Sequence, residues 1–228
     1  MLKLISSMAM RQVLSELAAA WQKTSDVEVS IESVGGVDAA KRVQAGETFD
    51  GVVLASDAID ILAAGGAVVA GSRVDLVLSS VAIAVKAGAP LPDTSTESAL
   101  RSAIGAARTI GYSTGPSGTA LVRLFERWGI AEAIKAKIVQ APPGVPVGTL
   151  VACGEVALGF QQLSELMHME GITVVGTMPE AVAINTVFSA ATCAASTQRE
   201  TLARLYAFMT STEADAVKQK HGMQPVLT

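Results

Sequence analysis

Aromatic side chains are scarce in this chain, 4% of 228 residues with two Trp and two Tyr, so its core has to be built from aliphatic residues. Charge is scarce as well, at 17%, and the 17 Lys and Arg are scattered singly against 21 Asp and Glu, which leaves no basic stripe to follow a phosphate backbone. That excludes a nucleic-acid partner. No apolar run approaches the roughly 20 residues of a bilayer span, so no membrane span is expected. Cysteine is limited to Cys153 and Cys193, both in apolar surroundings and without the spacing of a zinc site or a CxxC redox motif. No disulfide, metal or cofactor is expected from them. Residues Met1 to Ser7 lack a basic segment followed by an apolar stretch and a small-residue cleavage site. The expected location is the cytoplasm if Met1 is the native start, and the periplasm if a leader has been removed.

What is present is an apolar fraction of 50%, enough to bury a core larger than one small domain needs. Its patterning repeats strand, turn and helix. Leu2 to Ile5 reads as a buried strand, and after Ser6-Ser7 the positions Met10, Val13, Leu14, Leu17 and Trp21 recur at helical spacing. Val27, Val29 and Ile31 alternate as a strand does, and Gly35-Gly36 then precede a helix from Val37 to Ala45 that Gly46 closes. Phe49 to Ala55 is the third strand, with Ser56-Asp57 placed to cap a helix from Ala58 to Ala64. Three such units in succession predict a parallel sheet.

The same pattern continues beyond a long β-rich run, Val74 to Val85. Thr94 to Glu97 reads as a capping box opening a helix to Ala106, and Arg108 to Tyr112 as a strand ending in Ser113-Thr114-Gly115-Pro116-Ser117-Gly118. An amphipathic helix follows through Trp128. Val147 to Cys153 is a short helix, Val156 to Phe160 a strand running into Gln161-Gln162, and Ile172 to Val175 and Asn185 to Ala194 two more strands. Helices Arg199 to Met209 and Thr212 to Lys220, the second with a capping box from Thr210 to Glu213, are predicted to cover a sheet face. No linker tract or solenoid repeat interrupts the chain, so two domains would be joined by strands.

Ser6-Ser7, Gly35-Gly36 and Ser113 to Gly118 all fall between a strand end and a helix start. In parallel sheets such turns gather at the carboxyl edge, where helix N-termini offer unpaired N–H groups and a positive dipole to an anion. For any one of them ordinary helix capping is the commoner explanation. Three in one chain, one of them rich in hydroxyl donors, point to a site. The loop at 113–118 is no nucleotide P-loop, because no Lys follows its last glycine.

In this order the motifs resemble the type II periplasmic solute-binding proteins, in particular their molybdate-binding branch. The resemblance covers nearly the whole chain. It rests on the opening strand with Ser6-Ser7, on Val43-Gln44-Ala45-Gly46 followed by Phe49-Asp50 and Ala55-Ser56-Asp57, and on Ser80 to Lys86. Cys153 to Phe160 and Phe188-Ser189-Ala190-Ala191 complete it. It implies an α/β fold of two Rossmann-like lobes joined by crossing hinge strands, lobe I from 1–82 and 188–228 and lobe II from 83–187, with a ligand in the cleft. The crossings are expected near Val81 to Val85 and Val187 to Ala191. It further implies a small anionic ligand, Ser6, Ser7, Gly35, Gly36, Ser56, Ser113, Thr114, Ser117, Gly118 and Gln161 around it, an ABC permease as partner, and a monomer. Two departures stand out. Gly35-Gly36 replace a serine pair, and Gln161-Gln162 stand where that branch has a tyrosine, which suits a larger polar anion such as a di- or tricarboxylate.

Cofactor-free aconitate isomerases are similar too, and they imply an alternative use of the same cleft, proton transfer in a small tricarboxylic acid. That chemistry needs a base within reach, for which Glu165 and His168 are the candidates, although both also read as exposed polar residues. A third use, a sensor passing lobe closure to a partner protein, stays open. His221 reads as a cation at a helix end, Asp57 as an N-cap, Arg73 as either a carboxylate partner or a surface residue, Tyr112 as a strand-end core residue, and Met8 and Met10 as packing.

Overall fold

The computed structural model describes residues 1–226. In chain order its elements are β1 (Leu2–Ser7), α1 (Arg11–Trp21), β2 (Val29–Val34), α2 (Gly36–Gln44), β3 (Gly51–Ala55), α3 (Ser56–Ala64) and β4 (Val74–Lys86). There follow α4 (Glu97–Ala106), β5 (Ile110–Tyr112), α5 (Pro116–Arg127), α6 (Ala131–Ile134), β6 (Ile138–Gln140), α7 (Val147–Cys153), β7 (Leu158–Gln162) and α8 (Leu163–Leu166). The chain ends through β8 (Ile172–Thr177), β9 (Asn185–Thr192), α9 (Arg199–Thr210), α10 (Asp215–Lys220) and β10 (Met223–Pro225). It divides into two compact units, Met1–Ser79 with the segment from Thr186 onward, and Ser80–Asn185. The chain passes between them inside β4 and at the start of β9.

In the first unit β1 lies between β2 and β3, parallel to both, β9 runs antiparallel to β3, and β10 runs antiparallel to β4. Both faces of this sheet are buried, because successive side chains of a strand point to opposite sides. Leu2, Leu4 and Val53 pack with Val13, Leu14 and Leu17 of α1 and Leu202, Leu205 and Met209 of α9, whereas Ile5, Val52 and Leu54 pack with Ala39 and Val43 of α2 and Ile59 and Leu62 of α3. Strands buried on both faces read as unbroken apolar runs, which is how β3 reads in the sequence. Met10 is fully buried among the α1 and α9 residues, a packing role.

In the second unit β5 lies parallel to β6 and β7, and the later part of β4 pairs antiparallel with both β7 and β8, with a register shift between Ile83 and Ala84. Val81, Ile83, Ile110, Leu158 and Phe160 face Leu100 and Ile104 of α4 and Leu121, Leu124 and Phe125 of α5. On the other face, Val147 and Val151 of α7 pack with Val156, and Leu166 of α8 packs with Ala82 and Ala84.

Several helix starts differ from the sequence reading. The cap of α4 is Thr96, whose hydroxyl accepts from the N–H of Ala99 at 3.1 Å, rather than Thr94. Helix α3 begins at Ser56 with Ala55 as its N-cap, so Asp57 is inside the first turn and accepts only locally, from the Ala58 N–H at 2.9 Å. Residues 212–220 split into a 3-10 turn and α10, and the cap position is Ser211, without a side-chain bond. In each case several hydroxyl or carboxylate residues stand near the boundary, and the packing of the helix decides which of them caps it.

Candidate functional site

The two units each gather sequence-predicted residues at the carboxyl ends of parallel strands. In the first unit the register pairs Ser6 with Ser33 and with Val53, and Ser7 with Val34, so β2, β1 and β3 end level with one another. Each passes at once into a helix or turn. Ser7 caps the turn Met8–Met10, its Oγ accepting from the Ala9 N–H at 3.2 Å. Ser6 is fully buried and its Oγ lies 2.8 Å from Ser33 Oγ. Helices α2 and α3 start at Gly36 and Ser56, with Gly35 and Ala55 as N-caps that make no side-chain bond. A Cβ placed on Gly36 would sit 3.6 Å from Ser7 Cβ, so the α2 N-terminus adjoins the β1 turn directly. Ser6, Ser7, Gly35, Gly36 and Ser56 therefore share one edge of this unit.

In the second unit the β5 strand ends at Tyr112, and the loop that follows folds back onto α5. Ser113 Oγ and Ser117 Oγ are 3.4 Å apart, with Ser117 buried and Thr114 exposed. Gly118 is required here. A Cβ at that position would run into the Ser113 carbonyl oxygen and approach the Tyr112 ring to 3.0 Å. Tyr112 is half-buried, and burial raises its hydroxyl pKa above the ordinary value.

Gln161 and Gln162 belong to β7 itself and are both buried, not in a loop after it. Gln161 Nε2 donates to Glu165 Oε1 at 2.8 Å, and its Oε1 accepts from the Gly148 N–H at 3.3 Å. Glu165 was legible as an exposed carboxylate, and the structure corrects this. It is partly covered, and burial pushes its carboxyl up to about 7, with the Gln161 hydrogen bond pulling the other way. An acid poised near neutrality in a turn of this kind can take and return a proton. His168 lies two residues beyond α8 with an exposed ring.

Other candidates are occupied elsewhere. Arg73 pairs with Asp60 and Asp75, both at 2.8 Å. His221 is the C-cap of α10 and its Nε2 lies 2.8 Å from Glu16 Oε2. Cys193 is buried but Cys153 is exposed, against the expectation of apolar surroundings, because it closes α7 at the surface. Among the described residues no group of three or more His, Cys, Asp or Glu is placed to hold a metal. No helix of those residues is long and apolar enough to cross a membrane. A crevice of about 220 Å³ lined by Ser80, Thr177, Glu180 and Asn185 contains none of the predicted residues.

Two groups escaped the sequence reading. Ser33 was legible in principle, because a parallel register between the first two strands brings it level with Ser6. The Gly148 N–H carried no signal, since a glycine in a short helix says nothing about its amide. All of the predicted anion-facing donors are neutral, which matches the way helix N-termini hold anions.

The family profile of the bacterial extracellular solute-binding proteins matches residues 2–224. An aconitate isomerase from Pseudomonas sp. is 36% identical over 231 residues, covering 99% of this chain and 88% of that protein. Among solved structures, the periplasmic molybdate-binding protein of Azotobacter vinelandii superposes with a TM-score of 0.82 at 20% identity, over 100% of both chains. The sulfate-binding protein of Mycobacterium tuberculosis superposes with a TM-score of 0.78 at 14% identity, over 99% of this chain and 86% of that one. At those identities the likeness is one of fold, the two-unit α/β fold of the type II periplasmic binding proteins. The profile match and the Pseudomonas relative both span nearly the whole sequence, and this chain belongs to the bacterial extracellular solute-binding protein family.

Proposed function

We propose that this protein binds a small anion, an oxyanion or a di- or tricarboxylate, as the ligand-capturing component of an ABC-type uptake system, acting as a monomer. The observation that carries this reading is the level carboxyl edge of β2, β1 and β3, where Ser6, Ser7, Gly35, Gly36 and Ser56 cluster around helix starts. Ser113, Thr114, Ser117 and Gly118 form a second set of neutral donors at a strand end of the second unit, where the amide of Gln161 is engaged by Glu165 and the Gly148 N–H. The ligand is held by hydroxyls and backbone N–H groups, so its recognition depends on shape and on the number of acceptor oxygens more than on a counter-charge. Glycines at 35 and 36 leave room for a polycarboxylate.

A second reading is favoured by one specific observation, the carboxyl of Glu165 raised to about 7 beside Gln161. The Pseudomonas relative supports it. Here the protein isomerises a small tricarboxylic acid without a cofactor. Glu165 takes a proton from a methylene carbon next to a carboxylate, the resulting carbanion spreads over the allylic system, and the proton returns to the far carbon. The double bond moves and the atoms balance. Neutral donors of the Ser113–Gly118 turn, in the same unit as Glu165, stabilise the charge that develops on the carboxylate oxygens.

Thermal shifts of the purified protein against molybdate, sulfate, phosphate, citrate, cis-aconitate and trans-aconitate test both readings, because a ligand that binds the folded state raises its stability with concentration. Stabilisation by at least one of these anions is expected, and none at millimolar concentration overturns the binding proposal. Proton NMR of cis-aconitate with protein in deuterium oxide then separates the two. Deuterium uptake with conversion supports the isomerase, and binding without exchange confines the protein to capture.

A further inference from the structure

We propose that Gln161 is a positioning residue for Glu165, fixing which carboxyl oxygen accepts a hydrogen bond and leaving the other oxygen to carry the transferable proton. This rests on the second reading above. A glutamine amide is ordinarily ambiguous in orientation, since its oxygen and nitrogen look alike. Here the ambiguity is removed by the backbone. The Gly148 N–H can only donate, so the oxygen it meets at 3.3 Å is Gln161 Oε1, and the Nε2 group must face Glu165. That group has donors and no acceptor. A proton on Glu165 Oε1 would point at another donor, so the proton resides on Oε2.

The packing makes this arrangement rigid. Along β7 the side chains alternate, Leu158 and Phe160 toward α5 and Gly159 and Gln161 toward α7. A Cβ on Gly159 would come within 2.5 Å of Val151, and one on Gly148 would collide with the Met169 sulfur and lie 3.1 Å from Leu166. These two glycines let α7 lie close enough for its first-turn N–H to reach Gln161. Among the described residues, the charged groups of the elements packed around Gln161, Glu165 apart, lie away from its amide. Strands β7 and β8 contain none, the titratable residue of α7 is Cys153 at its far end, and Lys86 lies by Gly154 at that same end. Arg123, Glu126 and Arg127 belong to α5, on the opposite face of β7, and His168 and Glu170 beyond α8 are exposed. Burial raises the Glu165 carboxyl and the Gln161 bond opposes it, so losing that bond raises the carboxyl further.

The test is an NMR titration of protein carrying carbon-13-labelled glutamate carboxyls, with Glu165→Gln to assign the resonance. In the native protein the Glu165 midpoint is expected well above the ordinary carboxylate range, with the Gln161 side-chain NH₂ resonances moving at the same midpoint. In Gln161→Met the midpoint is expected to rise by about one pH unit, and the acid limb of cis-aconitate exchange to rise with it, in kcat more than in KM. A midpoint unchanged by the substitution overturns the proposal. Should Gln161→Met fail to fold, the native protein still decides, because Gln161 NH₂ resonances that ignore the Glu165 titration overturn it as well. A protein that shows the coupled titration but neither binds nor exchanges the acid overturns the isomerase reading and leaves the positioning intact.

Discussion

Replacing Glu165 with Gln is expected to stabilise the protein at alkaline pH and to change little at acid pH. In the folded protein the carboxyl titrates at about 7, against 4.5 for the ordinary group, because burial disfavours its charged form. The folded state therefore holds its proton more tightly than the unfolded chain does. The stability this supplies is fully present below about pH 4.5 and is lost as pH rises through about 7. At roughly 1.4 kcal/mol for each pH unit the ceiling is about 3 kcal/mol. Glu165 keeps some exposed area, so solvent screening brings the expected loss between pH 5 and pH 8 to about 2 kcal/mol. Glutamine keeps the shape and can still accept from Gln161, but it does not titrate. Urea unfolding midpoints of the native protein and Glu165→Gln, measured at half-unit intervals from pH 5 to pH 9, should diverge progressively, the variant becoming the more stable. Parallel curves over that range would refute the claim that this carboxyl is desolvated.

Gly118→Ala drives a methyl into the Ser113 carbonyl oxygen and should cost about 1–3 kcal/mol in chemical denaturation, with weaker anion binding because the hydroxyl loop is displaced. Ser117→Ala removes a buried donor beside Ser113 and should weaken binding of whichever anion gives the largest thermal shift by roughly 10-fold, read by calorimetry, with the melting temperature of the free protein nearly unchanged. The Lys218 side chain is 2% exposed and pairs with Asp215 at 3.2 Å, so Asp215→Asn should destabilise by about 1–3 kcal/mol, whereas Lys218→Met should be close to neutral. An equal loss in both variants would show that the ion pair itself is net stabilising, and would refute the claim that the cost comes from leaving the Lys218 charge buried without a partner.

The alternation of strand and helix was legible because each buried strand is an apolar run and each helix repeats its apolar positions every three or four residues. Periodicity is local, so it survives without coordinates: β1, β3, α1 and α5 read off directly, as did the serine and glycine turns between them. Cap positions did not, since Thr94, Ser95 and Thr96 offer the same chemistry and only packing chooses the last. The same limit applies to the acids. Glu165 looks in sequence like any other glutamate of an amphipathic turn, and its titration near neutrality arises from burial in the folded protein, with the Gln161 hydrogen bond opposing it. Ser33 met Ser6 because a parallel register placed them level, a relation between residues 27 positions apart. Composition and periodicity thus determined the fold class and which turns face the carboxyl edge, since those depend on neighbours along the chain. The polarity of Gln161, the protonation of Glu165 and the pairing of the hydroxyls were decided by tertiary structure, because desolvation and hydrogen-bond direction depend on groups brought together from distant segments.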